Sequence, residues 1–138
     1  GNVGTQSLAV TIRVLTDENI TFKEKLSLVA KEMKIGFSGG VILGIISILF
    51  VGLYLMVFKA KTAAFAFAVS ACIGAALLLS MVISSAVGTL IPLFFKKIKI
   101  DPAVASGPLI TTINDLVAVV TYYGLSWILL INITNLTG

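Results

Sequence analysis

Two uninterrupted uncharged runs dominate this chain: 24 residues over positions 35–58 and 34 residues over positions 62–95. At about 1.5 Å per residue the first makes roughly 36 Å of helix, enough to cross a hydrocarbon core of about 30 Å with some tilt. The second would reach roughly 51 Å, too long for one upright span and awkwardly short for two. Its centre, Cys72 to Leu79, carries no turn signal, so it reads as one long or tilted helix whose end Gly88 and Pro92 loosen. Of the 138 residues, 58% are hydrophobic and 12% charged, too few charges to cover that apolar surface in water. The fold class expected is an all-α integral membrane protein, a helical bundle.

Lys96, Lys97 and Lys99 close the second run, and Pro102 suits the first turn of another helix. A third span is expected over about 103–131, ending in Tyr122, Tyr123 and Trp127, aromatics suited to a membrane–water interface. Residues 1–15 read as half of a membrane helix with a polar head, followed by a loop at 16–20. Thr21 and Glu24 fit a capping box. Phe22, Leu26, Val29 and Met33 then recur at helical spacing, which predicts an amphipathic helix lying along the membrane surface. The expected inventory is three full spans (about 35–58, 62–95 and 103–131), a partial span and that interfacial helix, in one transmembrane domain over 1–138. Two Asn-x-Thr triplets after residue 131 fit the glycosylation pattern as chance matches in a Thr-rich tail.

The cations orient the spans. Arg13, Lys23, Lys25, Lys31, Lys34, Lys96, Lys97 and Lys99 fall on one side, Lys59 and Lys61 on the other. Eight against two predicts that residues 13–34 and 96–100 are cytoplasmic and the C-terminus outside, in a plasma or inner membrane. Because the formal charge of +4 is placed as topology charge, nucleic acid is not an expected partner.

Cys72 is the single cysteine and there is no histidine. That set excludes Ser-His-Asp and Cys-His catalysis and leaves no nucleophile–base pair, so the chain does not read as an enzyme. It also leaves no imidazole or paired thiolates for zinc, copper or iron. A cation handled here meets oxygen ligands, which favours hard ions.

Gly36, Gly40 and Gly44 repeat every four residues, with Gly52 on the same face, a pattern that lets helix backbones approach closely. Ser80, Ser84 and Gly88 repeat it more faintly. Asp115 is the sharper feature: a carboxylate near the middle of the third span, costing at least a few kcal/mol if unpaired. Thr111 lies four residues before it, Thr112 three, Tyr122 seven after, and Asn114 beside it. Asn2 and Gln6 share one face of the opening segment and suggest a second polar wall. Asp115, Thr111, Thr112, Asn114, Asn2 and Gln6 are therefore the candidate cation-contacting residues. The competing structural reading is a salt bridge from Asp115 to Arg13, which would have to reach far from the end of its helix.

The opening Gly-Asn-Val-Gly-Thr-Gln-Ser and residues 101–117, DPAVASGPLITTINDLV, resemble the two signatures of the MgtE family of magnesium channels and transporters, relatives of animal solute carriers. The resemblance implies five membrane helices, a homodimer, and a pore lined by the second and fifth helices of both subunits. It places the family's pore carboxylate on Asp115 and the polar positions of its second helix on Asn2 and Gln6. It also implies that this chain starts partway through that second helix, without the first helix or cytoplasmic regulatory domains. The implied cargo is Mg²⁺, with Mn²⁺ or Co²⁺ as neighbours in chemistry. An exchanger coupled to Na⁺ or protons and a non-transporting membrane scaffold are the alternatives.

Overall fold

The computed structural model describes the backbone of residues 1–137 and the side chains of residues 1–104 and 106–132. Four helices follow in order: α1 (Asn2–Leu15), α2 (Phe22–Phe58), α3 (Ala63–Lys97) and α4 (Pro102–Thr137). Three of them contain stretches long and apolar enough to cross a membrane: Phe22–Phe58, Ala63–Lys97 and Ser106–Asn132. The side chains after Asn132 in the Asn-x-Thr triplets lie outside the described residues.

The helix starts are written in the sequence. The Thr21 hydroxyl accepts from the Glu24 N–H at 3.3 Å while the Thr21 N–H donates to the Glu24 carboxylate at 3.0 Å, the expected capping box. Thr62 caps α3 by accepting from the Phe65 N–H. Asp101 accepts from the Ala103 N–H at 3.0 Å as α4 opens on Pro102. At the end of α3, Lys99 takes the left-handed conformation (φ 64°). The Ile100 N–H then returns to the Phe95 carbonyl at 2.9 Å and the Lys99 N–H to Lys96 at 3.2 Å, a Schellman closure.

The structure departs from expectation in two places. The segment expected to lie flat on the membrane is the first third of α2, running unbroken into the span. The composition changes at residue 35, but nothing there, neither proline nor cap, stops a helix. Its apolar residues Phe22 and Leu26 remain exposed. Likewise α3 continues through Gly88 and Pro92 to Lys97, with both residues buried. Pro92 only withholds the N–H that the Gly88 carbonyl would otherwise accept.

Helix α3 is central and touches the other three. Helices α2 and α3 run antiparallel along a seam of small residues. A Cβ on Gly36 would strike Ser85 and the Met81 carbonyl; on Gly40 it would stand 2.9 Å from Leu78 Cα; on Gly44, 3.2 Å from the Gly74 carbonyl. The every-fourth-residue glycines thus serve packing within the chain. Interior positions are mostly small or hydroxylic, including Ser7, Thr11, Ser70, Ser84, Ser85 and Thr89, while large apolar side chains such as Ile42, Phe50, Leu53 and Leu116 point outward. Such a pattern suits lipid as the outer solvent. Thr11 and Thr89 avoid isolation by donating to their own helix, Thr11 to the Ser7 carbonyl at 2.7 Å and Thr89 to the Ser85 carbonyl at 2.8 Å.

Candidate functional site

The polar residues singled out in the sequence sit on α1 and α4, which meet at one tight point. The buried stripe of α1 is Gly4, Ser7, Thr11 and Leu15; that of α4 includes Ser106, Ile110 and Asn114. A Cβ on Gly4 would stand 3.0 Å from Asn114 Cγ, and one on Gly88 would stand 3.0 Å from the Gly4 carbonyl carbon. Gly4 is therefore pressed between α3 and α4, where a larger residue would displace the Asn114 side chain.

This contact decides which way each candidate points. Asn114 faces inward, 2% exposed, whereas Asp115, one residue and about 100° further round the helix, is exposed. Thr111 and Thr112 are exposed with Asp115, and Tyr122 continues that outer face. On α1, Asn2 and Gln6 are exposed on the side away from Gly4. So Asp115, Thr111 and Thr112 stand together on the outer surface of α4, Asn2 and Gln6 on that of α1, and Asn114 stands apart from both groups.

The hydroxyl geometry bears on chemistry. Thr111 donates to the Gly107 carbonyl at 3.1 Å and Thr112 to the Pro108 carbonyl at 3.0 Å. With their protons committed to the backbone, both oxygens present only lone pairs outward, the polarity that suits a cation or the hydrogens of its hydration water. Ser106 and Gly107 are helical, and Pro108 leaves the Val104 carbonyl without its intrahelical donor. Asp115 has no hydrogen bond or ion pair among the described residues, and Arg13 is exposed on another helix. The Arg13 salt bridge is not formed. No group of three or more His, Cys, Asp or Glu side chains placed to hold a metal occurs among the described residues.

Inside the bundle, Asn114 and Ser106 keep side-chain polar atoms without partners. Asn114 lines a cavity of about 280 Å³ with Ser80, Ser84 and Tyr122, reaching the start of α1 at Gly1 and Val3. A second carboxylate escaped the reading of the sequence. Glu32 is buried, 4% exposed, and accepts from the Ser7 hydroxyl at 2.9 Å, tying α2 to α1. Its signal was present: Glu32 falls four residues before Gly36, on the glycine face, and so could not be a solvated neighbour of the lysines.

An all-α bundle with three helices long and apolar enough to cross a membrane, packed through small-residue seams, defines an integral membrane protein. The chain belongs to the MgtE family, described as divalent cation transporter, which matches residues 1–125. It is 38% identical over 130 residues to the magnesium transporter MgtE of Bacillus subtilis (strain 168), covering 91% of this chain and 26% of that protein. To the magnesium transporter MgtE of Enterococcus faecalis it is 34% identical over 126 residues, covering 91% and 26%. To that of Thermus thermophilus it is 26% identical over 130 residues, covering 94% and 27%. The chain thus spans about a quarter of the length of these curated relatives. No solved structure matches significantly.

Proposed function

We propose that this chain carries the ion-conducting part of a Mg²⁺ transporter, with Asp115 as the intramembrane ion site. One observation carries the reading: Asp115 lies nine residues past Ser106 in an apolar span, roughly 13 Å along the helix, exposed and without a partner among the described residues. A carboxylate at that depth is costly unless a cation or water meets it. The magnesium transporters similar to this chain supply the identity of the cation.

Mg²⁺ dehydrates reluctantly and keeps several waters. Asp115 supplies charge to the hydrated ion, and the outward lone pairs of Thr111 and Thr112 accept from its waters. Asn2 and Gln6, on the exposed surface of α1, supply a second polar wall. One carboxylate is a thin cage for a divalent ion, so two copies about a shared axis, the commonest symmetric assembly, supply a pair. Asn114, on the inner stripe, supports the ion path from behind by setting the α1–α4 contact at Gly4. Driving force comes from the membrane potential, about 4.6 kcal/mol for a divalent ion crossing 100 mV.

The test is Mg²⁺ uptake into liposomes reconstituted with the intact protein. Potential-driven uptake independent of Na⁺ and of a proton gradient is expected. Uptake that stops when the coupling ion is removed selects an exchanger, and no uptake above empty liposomes selects a scaffold.

A further inference from the structure

We infer that the groove between the Phe22 end of α2 and the Lys97 end of α3 is a binding site for an anionic phospholipid of the adjoining leaflet. The glycine contacts fix the register of these antiparallel helices: Gly44 meets Gly74, Gly40 meets Leu78, and Gly36 meets Met81 and Ser85. Continued one helix end further, the register sets the lysine-bearing first turns of α2 beside residues 90–97 of α3. That part of α3 is still apolar up to Phe95, although its partner helix already carries lysines at 23, 25, 31 and 34. Both helices therefore bring apolar and basic side chains together at one membrane level.

Between them lies a groove of about 590 Å³. Its floor is apolar, with Leu26 and Val29 on α2 and Leu90, Leu93 and Phe94 on α3; its polar lining is Lys25, Lys96 and Lys97. Leu26, Leu90 and Phe94 are 50–57% exposed, so the bundle itself does not fill it. No acid lines the groove; the nearest in sequence, Glu24, is held back on the Thr21 N–H by the capping box. The occupant must be apolar along its length and anionic at one end. A phospholipid in the leaflet at the Lys96–Lys97 end has that form, laying acyl chain on the floor while its phosphate meets lysines that snorkel to the interface. A soluble phosphate would leave the floor uncovered. The site is independent of the ion path on α1 and α4.

The test is native mass spectrometry of the intact protein released from nanodiscs holding equal phosphatidylglycerol and phosphatidylcholine. Retained phosphatidylglycerol is expected to exceed phosphatidylcholine about tenfold, and Lys25→Gln, Lys96→Gln, Lys97→Gln together should abolish the excess. The matching set Lys23→Gln, Lys31→Gln, Lys34→Gln, on exposed lysines outside the groove, should preserve it. Leu90→Ser with Phe94→Ser, which leaves every lysine in place, should also lower retention several-fold. Equal retention of the two lipids overturns the proposal. So does equal loss in both lysine sets, which means diffuse attraction, and so does displacement of the lipid by inorganic phosphate, which means a soluble-anion site.

Discussion

The α2–α3 seam and the outer face of α1 and α4 use their small and polar residues in opposite ways. Along the seam, glycines bring two backbones close enough that a carbon added at Gly36 or Gly40 would collide, and little polarity is involved. On the outer face, Asp115, Thr111, Thr112, Asn2 and Gln6 are set on exposed helix surface that packing does not require. The seam is where the bundle holds its shape, so its residues answer to sterics. The outer face keeps polar groups that weaken membrane stability, and in the proposed reading its residues answer to an ion that passes there.

The comparison can be broken at several points. The largest effect is expected at Asp115. Asp115→Asn should assemble normally, because no intramolecular partner is orphaned, yet lose Mg²⁺ uptake in liposomes. Removing about 3 kcal/mol of ion stabilisation, the scale of an intramembrane charge, amounts to roughly a hundredfold. Uptake equal to the parent would put the ion elsewhere.

On the seam, Gly40→Val should have the reverse profile, a stability defect with no specific effect on ion selectivity. Its added carbons meet Leu78 Cα, which cannot rotate away, so about 3 kcal/mol, the upper end of overpacking costs, is expected. The unfolding midpoint in detergent reads it.

Ser7→Ala tests the link between the two regions. It leaves the buried Glu32 carboxylate without its hydroxyl donor and should cost about 1–3 kcal/mol. Adding Glu32→Leu should restore part of that loss, since no charge is then stranded. A Ser7→Ala protein as stable as the parent would show that Glu32 finds another donor.

The smallest effect belongs to Gly52→Ala, where the new methyl meets the Phe67 ring at 3.4 Å and the Ser70 hydroxyl at 3.5 Å, both ordinary contacts. A change within about 0.5 kcal/mol is expected. A larger loss would mean that the seam tightens beyond Gly44 in the membrane.

Much of this was legible in the residues. Uncharged run lengths gave the spans, and Thr21, Glu24 and Pro102 gave helix starts, because caps and apolar length are local properties. The period of four in Gly36, Gly40 and Gly44 announced a close contact, but only the facing Ser85, Leu78 and Gly74 showed that it is made within the chain. The continuity of α2 was missed because lysines alter a helix's surroundings without ending it. Asn114 and Asp115, being neighbours on a helix, had to diverge; choosing the inward one required knowing that Gly4 makes room for the amide. Glu32 was passed over among its lysine neighbours, although its spacing to Gly36 places it on the buried face.

The central claim is that the exposed face bearing Asp115 is wetted by an ion path. A single cysteine at Thr111, in a Cys72→Ser background, tests it through its reaction rate with a membrane-impermeant thiol reagent in reconstituted protein. The account predicts ready modification that Mg²⁺ slows at least several-fold, with the protection lost when Asp115→Asn is added. An unreactive cysteine, as on a lipid-facing helix, or a rate indifferent to Mg²⁺, would contradict it.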